Sequence, residues 1–107
     1  MGGNAHDMVT TMAIVTSLHK KLAGVLLLTP LPEVRCIDIT YLGASPHARG
    51  KGVGNSLVRK AYEVAQDSQY KRISLAVDAQ NTPAIHLYQR WNFRKIGQRF
   101  TMIKKLF

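Results

Sequence analysis

Residues 37–57 read IDITYLGASPHARGKGVGNSL, and this stretch indicates the fold. It begins with the alternation typical of a strand, passes through a loop rich in glycine and basic residues, and ends in an amphipathic helix. Three glycines within five residues, Gly50, Gly52 and Gly54, expose backbone N–H groups and let a ligand approach the main chain closely. The helix that follows directs its positive end at the same place. Strand, loop and helix together predict a cradle for a diphosphate.

Two better-known phosphate motifs do not fit this loop. A P-loop requires Gly-x-x-x-x-Gly-Lys-Ser/Thr, and that spacing is absent. A dinucleotide fingerprint requires Gly-x-Gly-x-x-Gly, but Asn55 stands where the third glycine belongs. A flexible glycine turn without a ligand is the alternative that the glycines alone leave open.

The pattern on either side of the loop predicts a mixed α/β domain. Met8–Ser17 has the composition of a strand, although a helix over Met8–Lys21 is the alternative. Leu22–Leu28 reads as a buried strand, and Thr29–Pro32 is expected to break the regular structure. The remaining elements are predicted as a strand over Arg35–Ala44, a helix from Val53, a strand over Ile73–Asp78, a helix over Thr82–Trp91, and an antiparallel pair, Phe93–Ile96 with Phe100–Leu106.

The strand before the loop is predicted to carry two distinct faces. One holds Ile37, Ile39, Tyr41 and Gly43, and the other holds Cys36, Asp38, Thr40, Leu42 and Ala44.

Composition indicates one globular domain over residues 1–107, with 46% hydrophobic and 20% charged residues. Residues 1–7 are expected to be disordered, and they lack the features of a secretory leader. The longest apolar run is too short for a bilayer, so a cytoplasmic location is expected. Cys36 is the one cysteine and is expected to be a buried thiol. The four histidines show no metal-ligand spacing, so no metal is expected.

The chain is strongly basic, with a net charge of +9, and no acidic residue follows Asp78. Such a field attracts a phosphorylated cofactor, a nucleic acid or an acidic protein. Charge alone does not choose among them. The sequence lacks the interleaved aromatic and basic residues of a single-strand binding surface, which makes nucleic acid the less favoured partner.

Two motifs resemble those of the GCN5-related N-acetyltransferases, the GNAT superfamily. Arg49-Gly50-Lys51-Gly52-Val53-Gly54 is similar to the family's Arg/Gln-x-x-Gly-x-Gly/Ala signature. Asn81-x-x-Ala84-x-x-Leu87-Tyr88, closing at Phe93, resembles the family's Asn-x-x-Ala-x-x-Leu-Tyr segment. The order and separation of the two motifs are also family-like, and the resemblance covers about Leu22 to Phe107.

The resemblance implies an enzyme that transfers the acetyl group of acetyl-CoA to a primary amine by direct attack. It implies a mixed sheet whose fourth and fifth strands splay apart around the pantetheine arm. Gly43 suits the local bulge that such a splayed strand needs. The main chain of Leu42, Gly43 and Ala44 would hold the acyl and pantetheine groups. The pyrophosphate would be held by the amides of Arg49, Gly50, Lys51, Gly52, Val53, Gly54 and Asn55. Asn81 would contact the cofactor, cap the second helix, or do both.

Two residues are candidate catalytic groups by the same resemblance. Asp38 would be the general base, and the alternative is a strand carboxylate paired with Arg35 or Lys71. Tyr88 would be the general acid that protonates the departing thiolate. The alternative for Tyr88 is a core aromatic beside Leu87 and Trp91, and Trp91 itself is expected to be core.

The match departs from the family pattern at two points. Asn92 stands where glycine precedes Phe93, and asparagine is the residue best able to replace glycine in a left-handed turn. The family's first strand and first two helices have no counterpart before residue 8, so a shortened member is expected. The shortening implies a wide acceptor site for a small molecule or a protein, a homodimer that supplies the missing wall, or a module that binds acetyl-CoA without turnover.

Overall fold

The computed structural model describes residues 11–96 and 101–106. In it, segments with alternating apolar side chains form a six-stranded sheet. The expected disorder of residues 1–7, the start of the first predicted strand, and Phe100 lie outside the described residues. In chain order the elements are β1 (Met12–Leu18), β2 (Lys21–Leu31), β3 (Cys36–Ala44), α1 (Val53–Asp67), β4 (Arg72–Ala76), α2 (Thr82–Arg90), β5 (Arg94–Ile96) and β6 (Thr101–Lys105). Short 3-10 turns cover Pro32–Val34 and Pro46–Ala48.

The sheet is mixed, with the strand order β1-β2-β3-β4-β6-β5. Strands β1, β2 and β3 are antiparallel neighbours, β3 and β4 run parallel, and β6 pairs antiparallel with both β4 and β5. The crossover from β3 to β4 passes through α1, as a parallel connection requires. The predicted mixed α/β class is therefore confirmed, and Met12–Leu18 forms a strand rather than a helix.

One face of the sheet packs against the helices and forms the core. Helix α1 buries Leu57, Val58, Ala61 and Ala65, which recur at helical spacing. The sheet contributes alternate residues, including Ile37, Ile39, Ile73 and Leu75, to the same cluster. Each fully buried aliphatic side chain of this kind stabilises the fold by about 1.5–3 kcal/mol.

A bulge in β3 changes which side chains face the core. Ile39 lies opposite Leu28 and Tyr41 lies opposite Leu27, so Thr40 has no residue paired with it in the β2 backbone ladder. The extra residue reverses the alternation: Tyr41 is 54% exposed on the far side, and Leu42 packs against the core. The predicted grouping of Tyr41 with Ile37 and Ile39 is therefore wrong, because the bulge lies at Thr40 and not at Gly43.

Strand β2 continues through Pro30, where the sequence predicted a break. Pro30 pairs with Ile37 of β3, and regular structure changes only at Pro32. Among the described residues, the pairing of β2 with β1 ends at Leu28.

Asparagines define both ends of α2. The Asn81 side chain accepts a hydrogen bond of 3.3 Å from the amide of Ala84, which confirms it as the N-cap. Asn92 has φ +66°, the left-handed conformation predicted for a residue that replaces glycine after a helix. The family-like turn into Phe93 is therefore preserved.

Cys36 is buried, at 4% exposure, as the sequence predicted. Within the described ranges, no cluster of three or more His, Cys, Asp or Glu side chains could hold a metal ion. Neither helix in those ranges is long and apolar enough to cross a bilayer.

Candidate functional site

Strands β3 and β4 separate partway along their length. Their parallel register ends at the pair Ile39–Leu75, while β3 continues to Ala44 and β4 stops at Ala76. The β4-facing edge of β3 from Thr40 onward therefore has no ladder partner among the described residues. Backbone N–H and C=O groups on this edge are available to a ligand.

The glycine loop lies next to this gap and has the backbone that only glycine adopts readily. Gly50 and Gly52 have φ of +77° and +78°. A Cβ at either position would meet no atom within 4 Å, so space above the loop is open. Gly52 caps α1 without any side-chain hydrogen bond, which leaves the first amides of the helix without an acceptor among the described residues. Open space, free amides and a helix N-terminus together suit an anion.

The loop, the β3 edge and α2 enclose one cleft of about 650 Å³. Ten of the eleven sequence-predicted cofactor residues line it: Leu42, Gly43, Ala44, Arg49, Gly50, Gly52, Val53, Gly54, Asn55 and Asn81. Lys51 lies outside the lining, and its amide donates to the carbonyl of Ala48 instead. Asp38 and Tyr88 also lie outside the lining.

Six further residues line the cleft that the sequence had not assigned to a site: Tyr41, Ala48, Pro83, Ala84, Leu87 and Arg90. Ala84, Leu87 and Arg90 recur every three residues and so lie along one face of α2. That spacing was visible in the sequence, but it did not lead to the assignment of Arg90 to a site. The bulge at Thr40 had no sequence signal, so the turn of Tyr41 away from the core could not be anticipated.

Trp91 joins the two helices that flank the cleft. Its indole Nε1 donates a 2.8 Å hydrogen bond to Oδ1 of Asn55 in the first turn of α1. The ring lies 6.4 Å from that of Tyr62, and the Arg59 guanidinium lies 6.0 Å above it. Trp91 packs against the core as a partly buried side chain, which agrees with the expectation of a core role, and it is also hydrogen-bonded through its polar edge.

Asp38 lies on the face of the sheet opposite the helices. Its Oδ1 accepts a 2.7 Å hydrogen bond from Ser74 Oγ, and its Oδ2 accepts one of 3.4 Å from Thr40. Thr40 is in turn 2.5 Å from the hydroxyl of Thr29. In residues 11–96 and 101–106, no ion pair joins Asp38 to Arg35, one of the two partners considered from the sequence. The carboxylate is oriented by hydroxyl groups, one residue before β3 and β4 part.

Tyr88 is buried on the core side of α2, at 6% exposure, and its ring contacts Phe93 edge to face at 5.5 Å. Burial raises the pKa of its phenol to about 12, because the core disfavours the phenolate. No buried side-chain oxygen or nitrogen in the described ranges lacks a hydrogen-bond partner. The Tyr88 hydroxyl oxygen has no hydrogen-bond partner in those ranges, so it is not fully buried and must reach solvent at the margin of the core.

The cleft fits an elongated phosphorylated thioester better than a compact ligand. At one end, the exposed β3 edge offers main-chain partners to an amide-containing arm. At the other end, the left-handed glycines and free helix amides suit a diphosphate, with the guanidinium of Arg49 beside them. A coenzyme A molecule has both parts in this order.

The comparisons with known proteins agree with this geometry. Residues 5–93 match the model of the "Acetyltransferase (GNAT) family". A mycothiol acetyltransferase of Jonesia denitrificans is 36% identical over 73 residues, which is 68% of this chain but 23% of that relative.

Solved structures show the same fold at lower identity. An IAA acetyltransferase from Bacillus cereus has a TM-score of 0.83 at 19% identity, covering 90% of this chain and 78% of that one. A Bacillus subtilis acetyltransferase, solved in complex with CoA, has a TM-score of 0.82 at 18% identity, covering 91% of this chain and 78% of that one. The family match, the two motifs and the splayed strands lead to one conclusion: the chain belongs to the acetyltransferase (GNAT) family.

Proposed function

We propose that this chain is an acetyl-CoA-dependent N-acetyltransferase that acts on a primary amine by direct attack. The observation that carries the proposal is the cleft in which a left-handed glycine loop adjoins the unpaired edge of β3. This combination provides an anion site and a strand-like binding edge in one continuous surface. The alternative, a module that binds acetyl-CoA without turnover, shares the cleft and differs only in its catalytic groups.

When bound, acetyl-CoA supplies an acetyl group activated as a thioester. The β3 edge at Leu42, Gly43 and Ala44 would hold the acyl carbonyl and the pantetheine amides through main-chain hydrogen bonds. The amides of Gly50, Gly52, Val53, Gly54 and Asn55 would hold the pyrophosphate, aided by the α1 dipole, whereas the Arg49 and Lys51 amides already donate to Pro46 and Ala48. These contacts position the thioester and contribute to its electrostatic stabilisation as charge develops on the carbonyl oxygen.

Asp38 is proposed as the base that removes a proton from the amine. An unperturbed primary amine has a pKa of about 10.4, so at neutral pH most of it is protonated and cannot attack. Asp38 lies where the gap opens, on the face away from the helices, and Ser74 orients its carboxylate. An amine that approached from that face would reach the carboxylate before the thioester, and its proton could be taken directly or through a water.

Tyr88 is proposed as the hydrogen donor to the departing sulfur. Its raised pKa, about 12, keeps the phenol protonated throughout the physiological range, as a donor requires. The phenol is nonetheless a weaker acid than a thiol, whose pKa is about 8.5. We therefore assign Tyr88 a hydrogen bond that strengthens as negative charge develops on sulfur, rather than early transfer of the proton.

The acceptor is proposed to bind on the open face of the sheet, beside Asp38 and Tyr41. Tyr41 is exposed, and its ring lies over Gly43 at the margin of the gap. Such a surface could admit a small molecule or a peptide amine. The homodimer and the cytoplasmic location remain predictions, and sedimentation velocity at several concentrations tests the first of them.

The decisive experiment combines binding and turnover on one preparation. Calorimetric titration with acetyl-CoA and with CoA measures affinity, and a thiol-release assay over a panel of amines measures transfer. We expect micromolar binding, and thiol release that falls about 100-fold or more in Tyr88→Phe, as expected for loss of a hydrogen bond that stabilises the charge developing on sulfur. The Tyr88→Phe variant should still bind CoA as the wild type does.

Each other outcome has a defined meaning. Binding without thiol release toward any amine would favour the non-catalytic module. Absence of binding would contradict the cofactor site itself. Salt-sensitive binding to generic DNA or RNA in the absence of CoA binding would instead favour the nucleic-acid alternative.

A further inference from the structure

Arg90 is the one residue of the cleft lining whose charge the proposed contacts leave unused. It lies in the last turn of α2, is exposed, and lines the cleft. No carboxylate pairs with it within the described ranges, and no acidic residue follows Asp78 in the chain. A cation at this position is available to an anionic ligand.

The position of Arg90 along the cleft follows from the packing of α2 against α1. Leu87 Cδ2 lies 3.2 Å from where a Cβ on Gly54 would be, so Leu87 abuts the glycine loop. Ala84 lies one turn earlier, near the Asn81 cap and the splayed strands. Arg90 lies nearly one turn later, about 4.5 Å farther along the helix axis. It is therefore beyond the loop, on the side away from the gap.

The hydrogen bond between Trp91 and Asn55 supports the same placement of Arg90 along the cleft. It fixes the carboxy-terminal end of α2 beside the first turn of α1, and Arg90 immediately precedes Trp91. Read along the cleft, the order is the unpaired β3 edge, then the glycine loop, then Arg90.

Resting on the proposed function, we infer that Arg90 binds the 3′-phosphate of coenzyme A and selects it over the 3′-dephospho form. Pantetheine, pyrophosphate and 3′-phosphoribose follow one another in the coenzyme, which matches the order of the β3 edge, loop and Arg90. The 3′-phosphate is the one anionic group of the coenzyme that the loop does not account for. A planar guanidinium suits it because two N–H groups can bind two phosphate oxygens together.

The test compares the affinities of CoA and 3′-dephospho-CoA, measured by calorimetry on the full chain at about 50 mM salt, where screening is weak. The wild type should bind CoA about fivefold more tightly than dephospho-CoA, as expected for one solvent-exposed charge pair. In Arg90→Gln this ratio should fall to about one, through weaker binding of CoA alone. Arg90→Lys should retain part of the ratio, because the charge remains.

Two further variants separate this contact from general effects of charge. Lys60→Gln removes the same charge from a lysine that lies outside the cleft, with Nζ 4.0 Å from Glu63, and should keep the wild-type ratio. Arg49→Gln should weaken both ligands equally, since both carry the pyrophosphate. Higher salt should reduce the wild-type ratio and leave that of Arg90→Gln unchanged.

Two results would overturn the inference. An unchanged ratio in Arg90→Gln, including equal weakening of both ligands, would show that Arg90 does not contact the 3′-phosphate, while leaving the proposed function intact. Failure of the wild type to bind either ligand would remove both the inference and the proposed function.

Discussion

The indole of Trp91 and the side-chain amide of Asn55 share a 2.8 Å hydrogen bond across the two helices that flank the cleft. The bond ties the first turn of α1, which follows the glycine loop, to the residue that caps α2. Because these two segments form opposite walls of the site, their separation sets the width of the cleft beside the loop. A contact distant from the reacting atoms thereby influences how the loop is presented.

Trp91→Phe tests this tie, because phenylalanine keeps an aromatic ring and removes the donor. We expect the free energy of unfolding to fall by about 1 kcal/mol, the net value of a typical hydrogen bond. Urea unfolding followed by circular dichroism measures it, since Trp91 is the sole tryptophan. In a double-mutant cycle with Asn55→Ala, the two losses should overlap. Strictly additive losses would contradict the tie.

Substitutions of Gly52 by alanine and by asparagine test the role of the glycine loop. Together they distinguish the effect of backbone strain on stability from the effect of an added side chain on CoA binding. At φ +78° alanine should cost about 1–2 kcal/mol of stability, whereas asparagine tolerates this conformation and should cost much less. Both side chains would occupy the open space above the loop. Both variants should therefore bind CoA at least about tenfold more weakly, the equivalent of one lost charge-assisted hydrogen bond. Calorimetry measures the affinity for CoA, and urea unfolding measures the stability. A Gly52→Asn variant that binds CoA as tightly as the wild type would contradict the proposed diphosphate site.

Tyr88 should make the fold sensitive to alkaline pH. The folded-state pKa of its phenol is about 12, against 10.0 for the ordinary side chain. Between these values the unfolded chain releases a proton that the folded chain keeps, so stability falls as the pH rises above 10. The loss at pH 11 is about 1.4 kcal/mol from these two pKa values.

Urea unfolding at pH 9 and pH 11 measures this loss. Tyr88→Phe has no phenol to titrate and should lose about 1.4 kcal/mol less than the wild type between the two pH values. Tyr41→Phe is the matched control, because it removes a phenol that is exposed rather than buried. Equal losses of stability between pH 9 and pH 11 in the wild type and in Tyr88→Phe would contradict the effect expected from burial of the Tyr88 phenol.

Asp38→Asn tests the proposed base with little change in shape. Asparagine can still accept the hydrogen bond from Ser74 but cannot take a proton at neutral pH. We expect kcat to fall about 100-fold or more with CoA affinity unchanged. Ser74→Ala removes only the orienting contact and should lower kcat much less. A loss of stability in Asp38→Asn with unchanged kcat would assign Asp38 a structural role.

Much of the local structure could be read from the sequence because it depends on neighbouring residues. The amphipathic spacing of Leu57, Val58 and Ala61 predicted α1, and Asn81 was recognised as a cap. Asn92 was expected in the left-handed region, where it lies. The glycine loop was predicted as an anion site from its composition and from the helix after it. Each of these features is determined within a few residues along the chain.

The tertiary structure decided the features that depend on distant partners. The bulge at Thr40 arises from the register between β2 and β3 and reverses the facing of Tyr41 and Leu42. Pro30 remains in a strand because it pairs with Ile37 of β3. The end of the β3–β4 ladder, the Trp91–Asn55 bond and the placement of Arg90 all join segments far apart in sequence. Local propensity carries no information about such pairings, because their energies come from packing and hydrogen bonds formed only when the chain has folded.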